Sequence, residues 1–493
     1  MGRIYDSGKD AAARGAKKCR KRGIPMKRIF TVLAAVLLLT AAMAVTASAS
    51  DYDAVAEDLS AIGVFRGTSS GFELDRAPTR SEAAIMLVRL YGAEDDAKTA
   101  YAAGQLTMPF TDVGTTAAPY VAWLYENGIV NGVSATKFGT GACSAKMYCA
   151  FLLRALGYQD GVDFQYADTL AFAQEKGFYD PIQFSGTFLR DDLAAVTYQA
   201  LGTDLKDGSA YLLKSLIDNG AVDAQAATPM TEKIEAYRAL QQASAGMDAS
   251  TAMDVDVTAA IDMTVAQDGE TVSMPMTMDG GMQMILDEDD LQMAYDFDIG
   301  MMGDTMTMRE WLTDGWVYVE TEVDGETVRT KTQVDLAEQL ALIQQAQASA
   351  SMDMVNVSGL AMVDSITTRT QGTNTVYTLV ISGPSMNSMM STAFSAMLGS
   401  DLLPAEDLQA MMEMLSFDDI TAVYTVDRSG DLKDIQMTFA MEMTVPAEEG
   451  AAPMVMTMDY DMTMTVNATG DSVRITFPNF SNFEEVTLPE FAA

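Results

Sequence analysis

From Met253 to Val265 the chain alternates without a break. Met253, Val255, Val257, Ala259, Ile261, Met263 and Val265 are apolar, and the residues between them are mostly Asp or Thr. A period of two predicts a strand buried on one face. The same spacing runs through Ile435, Met437, Phe439, Met441, Met443 and Val445, and through Met454, Met456, Met458, Tyr460, Met462, Met464 and Val466. Shorter versions lie at Val272–Met278, Leu291–Ile299 and Trp316–Val319. At ~3.4 Å per residue the longest of these predicts roughly 44 Å of strand, and strands that long must twist and curl. Asp268-Gly269, Asp279-Gly280, Asp324-Gly325 and Ser429-Gly430 are expected hairpin turns. Three amphipathic stretches, Val334–Ala346, Pro384–Leu398 and Pro404–Leu415, are expected to be helices covering the apolar face. Thr228-Pro229 opens another helix, expected to run to about Gln242.

Before residue 228 the period is helical and the chain repeats itself. Gly63-Val64-Phe65-Arg66-Gly67 returns as Gly128-Ile129-Val130-Asn131-Gly132, and Arg89-Leu90-Tyr91-Gly92 as Arg154-Ala155-Leu156-Gly157. A third copy begins Gly177-Phe178-Tyr179 and ends Tyr198-Gln199-Ala200-Leu201-Gly202. Each unit reads as helix, glycine turn, loop, helix. Ala84, Leu87, Val88 and Tyr91 put one apolar stripe on the second helix of the first unit. A lone hairpin cannot bury such a stripe, so three are expected to pack together. A short helix over Ala210–Asn219 is expected to close the segment.

These units resemble the S-layer homology module. The resemblance rests on Phe110-Thr111-Asp112-Val113, Tyr120, the glycine turns and the helix start Thr79-Arg80-Ser81-Glu82. It implies a three-fold helical prism that binds a secondary cell-wall polysaccharide without a covalent bond, with the motif arginine on the acidic glycan. The second unit departs from the motif with Ser144-Ala145-Lys146-Met147, and the third reads Leu189-Arg190-Asp191-Asp192. An arginine fork grips a carboxylate through two charge-assisted bonds, whereas lysine is a point charge. The expected glycan-binding residues are Arg80, Glu82, Arg190 and Lys146. The alternative is that the arginines only start helices and pair with neighbouring acids.

Residues 228–493, in their order of helix, long meander, inserted helices and further meander, resemble the lipoprotein carriers of the LolA and LppX type. Trp311-Leu312-Thr313-Asp314-Gly315-Trp316-Val317-Tyr318-Val319 looks like the central hairpin of related extracellular proteins. That resemblance implies a half-closed antiparallel barrel holding acyl chains under helices.

Targeting residues change the picture of where the chain works. Met26-Lys27-Arg28, then apolar Ile29–Val45, then Ala47-Ser48-Ala49 read as a signal peptide cleaved after Ala49, with translation starting at Met26. The first 28 residues carry ten basic side chains and two acidic ones; the rest has 21 basic against 67 acidic. So acidic a chain repels phosphate backbones, and no nucleic-acid partner is expected. No transmembrane segment is expected in the mature chain.

The absence of histidine removes Ser-His-Asp and Cys-His catalysis and the commonest zinc ligand. Cys143 and Cys149, six residues apart, are expected to be buried free thiols. Neither enzyme activity nor a metal or cofactor is expected. Thirty-one of the 38 methionines follow residue 230, and three readings of them stay open. They fill a core, they form a plastic groove for a lipid or other hydrophobic ligand, or they bind Cu(I). The third is the weakest, because alternation spreads the sulfurs along strands. The ligand face is expected at Met437, Met441, Met456 and Met462. The acidic run 287–290 and the pair Asp459 and Asp461 match no EF-hand spacing and read as solvated.

The expected fold class is α+β and multidomain. Residues 1–49 are leader and signal peptide, and residues 50–227 an all-α prism of three repeats. Residues 228–493 form a long-stranded antiparallel sheet curved into a half-barrel with covering helices. The expected function is an exported, wall-associated protein with a hydrophobic-ligand domain. The alternative is a structural or adhesive surface-layer element whose sheet is fully packed.

Overall fold

A computed structural model describes residues 52–486 except 182, 185–186, 249, 287–289, 324, 335–358, 387–413 and 446–451. The expected signal peptide and most of the three expected covering helices lie outside the described residues. Val334 follows a strand rather than opening a helix, and Leu415 belongs to a strand. Among the described residues no helix is long and apolar enough to cross a membrane.

The first part of the chain is helical. It comprises α1 (Asp53–Ala61), α2 (Arg80–Leu90), α3 (Glu94–Ala102), α4 (Ala118–Glu126), α5 (Ala145–Ala155), α6 (Thr169–Glu175), α7 (Arg190–Leu201) and α8 (Leu212–Asp218). One turn recurs after most of these helices, including Gly92, Gly104, Gly157 and Gly220. Gly63, Gly128 and Gly177 follow α1, α4 and α6 with φ of 76°, 67° and 79°. Each donates its N–H to a carbonyl three residues back, Ser60, Tyr125 and Gln174, at 3.0, 3.0 and 2.9 Å. Glycine takes that left-handed conformation without steric cost, which is why these positions repeat in the sequence. Between the helices Leu59, Leu87, Leu124, Leu153, Tyr148 and Tyr198 are fully buried. The buried Tyr148 hydroxyl meets Thr197 Oγ1 at 2.5 Å, so it is not left unsatisfied. Cys143 and Cys149 are free and buried, as their setting in a helical core requires. Burial pushes the Cys143 thiol up to about 12.

Helix α9 (Thr228–Asp248) begins where the Thr-Pro pair predicts but runs six residues past Gln242. The extension has a packing reason. Leu240, Ala243 and Ser244 are buried, and the helix lies against two strands of the sheet that follows.

Among the described residues that sheet has 13 strands. They are β1 (Ala252–Gln267), β2 (Glu270–Leu286), β3 (Leu291–Met301), β4 (Asp304–Thr313), β5 (Trp316–Val323), β6 (Glu326–Gln333), β7 (Val363–Gln371), β8 (Asn374–Ile381), β9 (Leu415–Phe417), β10 (Ile420–Val426), β11 (Leu432–Val445), β12 (Met454–Thr469) and β13 (Glu484–Glu485). Their order is β13-β6-β5-β4-β3-β2-β1-β12-β11-β10-β8-β7, with β9 beside β11. All pairs are antiparallel except β13 on β6. Helix α9 rests on β7 and β11.

Two expectations are corrected. Asp279-Gly280 is not a turn but lies in the middle of β2. Gly280 pairs with Phe297 of β3, and the Phe297 ring and backbone occupy the space a side chain at 280 would need. The glycine accommodates a close cross-strand contact. The polar face is also not uniformly wet. After β12 the chain returns across it, stacking Phe480 on Tyr318 with ring centroids 3.7 Å apart and setting Phe483 edge-on to Trp311. The expected turn Asp268-Gly269 forms, with φ of 54° and 81°, and Asp314-Gly315 between β4 and β5 shows the same double positive φ of a type I′ hairpin, 52° and 72°.

Candidate functional site

Two sites follow from the sequence, and the first starts at α2. Thr79 and Glu82 close a capping box: the Glu82 N–H donates to Thr79 Oγ1 at 3.2 Å, and the Thr79 N–H to Glu82 Oε2 at 2.7 Å. That fixes the first turn and aims Arg80 at the second unit. Its Nη1 donates to the Phe138 carbonyl at 2.6 Å and its Nη2 to the Asn131 carbonyl at 2.7 Å, with the guanidinium 4.5 Å over the Phe138 ring. Asp112 holds the loop in place by accepting from Phe138 N at 2.8 Å and Gly139 N at 3.0 Å. The Phe110-Thr111-Asp112-Val113 motif thus builds the surface that Arg80 grips.

Arg80 is half-buried, and its Nε has no hydrogen-bond partner among the described residues. Its two hydrogen bonds go to carbonyls rather than to a carboxylate. Burial lowers its pKa, and the charge of Arg154 pulls the same way; an arginine nonetheless stays protonated. Tyr166, 41% exposed, feels both Arg80 and Arg154. Lys146 reaches the neighbouring Ala167 carbonyl at 3.0 Å. Arg154 is only loosely paired, with Asp160 at 3.5 Å. Arg80, Arg154 and Tyr166 thus lie within electrostatic reach of one another, and Lys146 holds the carbonyl next to Tyr166. Sequence reasoning named Arg80 and Lys146 and missed Arg154 and Tyr166. The recurrence of Arg89 as Arg154 was the available signal for one of them.

Glu82 and Arg190 come together elsewhere. Arg190 Nη1 donates to Glu82 Oε1 at 3.1 Å, and its Nε donates to the Phe72 carbonyl at 2.8 Å. The guanidinium lies 4.9 Å over the Phe65 ring, and the side chain is only 4% exposed. Arg76 grips the same carboxylate at 2.6 Å. Although burial opposes it, these partners hold Glu82 down at about 2. Arg80 and Arg190 thus make equivalent contacts, each with a phenylalanine carbonyl and a ring of another unit. Arg190 also pairs with Glu82, whereas both hydrogen bonds of Arg80 go to carbonyls.

The second site is the apolar face of the sheet. Met437 pairs with Met462, Met441 with Met458, and Met456 with Met443 and Val265. All four expected ligand-face residues lie on one face and are buried, at 7%, 4%, 2% and 8% for Met437, Met441, Met456 and Met462. Across β2, β3 and β4 the same face changes character. Met276, Met278, Met282, Met293, Ile299 and Met308 are only half-buried. Glu310 stands among them, between Tyr295 and Val319, and burial pushes its carboxyl above the usual range. Among the described residues no cluster of acidic or thiol groups could hold a metal.

Comparison with known proteins adds the following. The model of the family described as "Family of unknown function (DUF6612)" matches residues 233–491, and that of the S-layer homology domain matches residues 109–142. No curated protein matches the chain. Among solved structures, LprF from Mycobacterium bovis is 12% identical over 50% of this chain and 96% of its own, with a TM-score of 0.25. A DUF1329 family protein from Desulfovibrio piger is 9% identical over 48% of this chain and 92% of its own, with a TM-score of 0.15. A Vibrio parahaemolyticus domain described as an outer membrane lipoprotein-sorting protein is 10% identical over 48% of this chain and 95% of its own, with a TM-score of 0.12. At those scores the superpositions carry no argument.

Proposed function

Because the chain belongs to the family of unknown function DUF6612 and carries an S-layer homology domain at residues 109–142, we propose that it is an exported protein held at the cell wall by its helical part, with a sheet that takes a hydrophobic ligand. In this reading the signal peptide is removed after Ala49, and residues 50–227 form a three-fold prism on a secondary cell-wall polysaccharide. Residues 228–493 form a half-barrel for a lipid or similar guest.

The observation that supports wall attachment is the setting of Arg80. A half-buried guanidinium with carbonyl and ring partners but no paired acid is already oriented for an outside carboxylate. Lys146, Arg154 and Tyr166 extend the contact. Arg190 contributes by bracing Glu82 rather than by touching glycan. Hydrogen bonds to charged groups are worth about 1.5–3 kcal/mol each, so Arg80→Ala should weaken glycan binding roughly tenfold or more. Full-length protein should sediment with purified wall polysaccharide, and the Arg80→Ala protein should remain largely in the supernatant. Equal sedimentation of the two would remove this site.

The hydrophobic-ligand reading is supported by the half-buried methionines of β2–β4. Flexible thioethers adapt to guests of varied shape. Met437, Met441, Met456 and Met462 would form the closed end of the ligand face. Their burial also suits the second reading, a structural surface element with a packed sheet. A fluorescent fatty-acid probe separates the two. Under the ligand reading its emission rises with the wild-type protein and falls with Met278→Asp. A packed sheet gives no signal from either protein.

A further inference from the structure

At the far end of α7, away from Arg190, lies a cleft of about 340 Å³. Its walls come from both parts of the chain: Tyr158, Lys176 and Gln199 on the helical side, and Tyr237, Arg238 and Gln241 on α9. Two glycines allow the parts to meet there. A side-chain carbon at Gly202 would lie 3.2 Å from Leu360 Cδ2, and one at Gly359, which has φ of +59°, would lie 3.3 Å from Gln199 Nε2. The cleft sits within the usual small-molecule range of about 300–1,000 Å³. Helix α7 has 12 residues, which separates the cleft from the Arg190 end by roughly 18 Å at the standard helical rise.

The polar groups of the cleft are held in place before anything binds. Arg238 donates to the Gly202 carbonyl and to Asp204 Oδ1, both at 2.8 Å, and lies 5.3 Å over the Tyr211 ring. Lys176 pairs with Glu175 at 2.8 Å and sits 4.7 Å over the Phe172 ring. Gln199 donates to Gln183 at 2.9 Å, and Gln183 donates to the Tyr52 hydroxyl at 2.6 Å. The two cations are therefore each matched by a carboxylate, so the cleft offers no net charge to an ion or an acidic sugar. Amide, guanidinium and carboxylate groups instead offer paired donors and acceptors. Tyr158, Tyr237, Ile234 and Leu360 supply apolar wall. A ligand that matches this lining carries many hydroxyls, has an apolar face and bears no charge. A lipid tail would take water from these polar groups and offer no hydrogen bond in return.

We propose that this joint cleft binds a neutral mono- or disaccharide unit, at a place separate from Arg80. The proposal does not need the wall-glycan reading to hold. Full-length protein would be examined by saturation-transfer NMR and calorimetry with cellobiose and with N,N′-diacetylchitobiose. At least one disaccharide should bind with a millimolar or tighter Kd. Gln241→Trp, which fills the exposed rim from α9, and Tyr158→Ala, which removes the opposite wall, should each weaken that binding tenfold or more. Arg80→Ala should leave it unchanged, whatever it does to wall sedimentation. Thermal melts would identify any variant that fails to fold, and the other then decides. Absence of binding by both disaccharides, or equal binding by wild type and the folded variants, would overturn the proposal.

Discussion

The two halves of the sheet carry the same alternation and end in different states. On β1, β10, β11 and β12 the apolar residues are mostly buried, as in Val255, Ala422, Met441, Met458 and Met464. On β2, β3 and β4 the matching positions are mostly half-buried. One strand pattern therefore yields a packed core on one side and an adaptable surface on the other. Helix α9 rests on β7 and β11, on the packed side. Alternation tells which face is apolar, and tertiary contacts decide whether it is core.

The largest expected effect lies in the packed half. Met458→Ala should cost about 2–5 kcal/mol, the usual range for truncating a buried methionine. Met278→Ala, on the half-buried side, should cost about 1 kcal/mol because its surface is only partly removed from water. Urea denaturation of the two variants measures both, and equal losses would erase the distinction between the halves. An intermediate effect is expected at Gly280, where the Asp296 carbonyl and Phe297 leave no room. Gly280→Val should overpack the β2–β3 contact and cost about 1–3 kcal/mol, again read from the urea midpoint.

The smallest effect is expected at Glu310. Its folded pKa is raised by burial, so the neutral carboxyl is favoured in the fold. Stability from this residue is therefore greatest at low pH and declines as pH rises through the folded value. Glu310→Gln should stabilise by about 0.5 kcal/mol or less at pH 7, because solvent still screens the group, and should do nothing at pH 4. A gain of equal size at both values would show that the carboxyl does not sense the apolar face.

How much of this could be read beforehand follows from the same physics. Strands β1, β11 and β12 were legible because one face is buried along almost their whole length, which enforces a strict period of two. Strand β4 was not, since Glu310 stands where the pattern needs an apolar residue. Strand β6, Glu326–Gln333, is mostly exposed, so nothing constrains its composition to alternate. The Asp279-Gly280 pair imitated a turn because close packing and tight turns both call for glycine. In the helical part the repeated glycine turns and the Arg80 start were visible in the sequence. The approach of Arg154 and Tyr166 to Arg80 was not, because three different segments meet there only after folding. The burial of Arg190 was hidden for the same reason: it too starts a helix in its unit, and the Glu82 contact that distinguishes it from Arg80 forms only after folding.

The most direct measurement is native mass spectrometry of the full chain purified without detergent, followed by solvent extraction of whatever it carries. If the half-buried methionine face takes a hydrophobic guest, the protein arrives with added mass that organic solvent removes, and Met278→Asp reduces it. A spectrum at the bare polypeptide mass from wild type and variant alike would contradict that account and leave a sheet that serves only as structure.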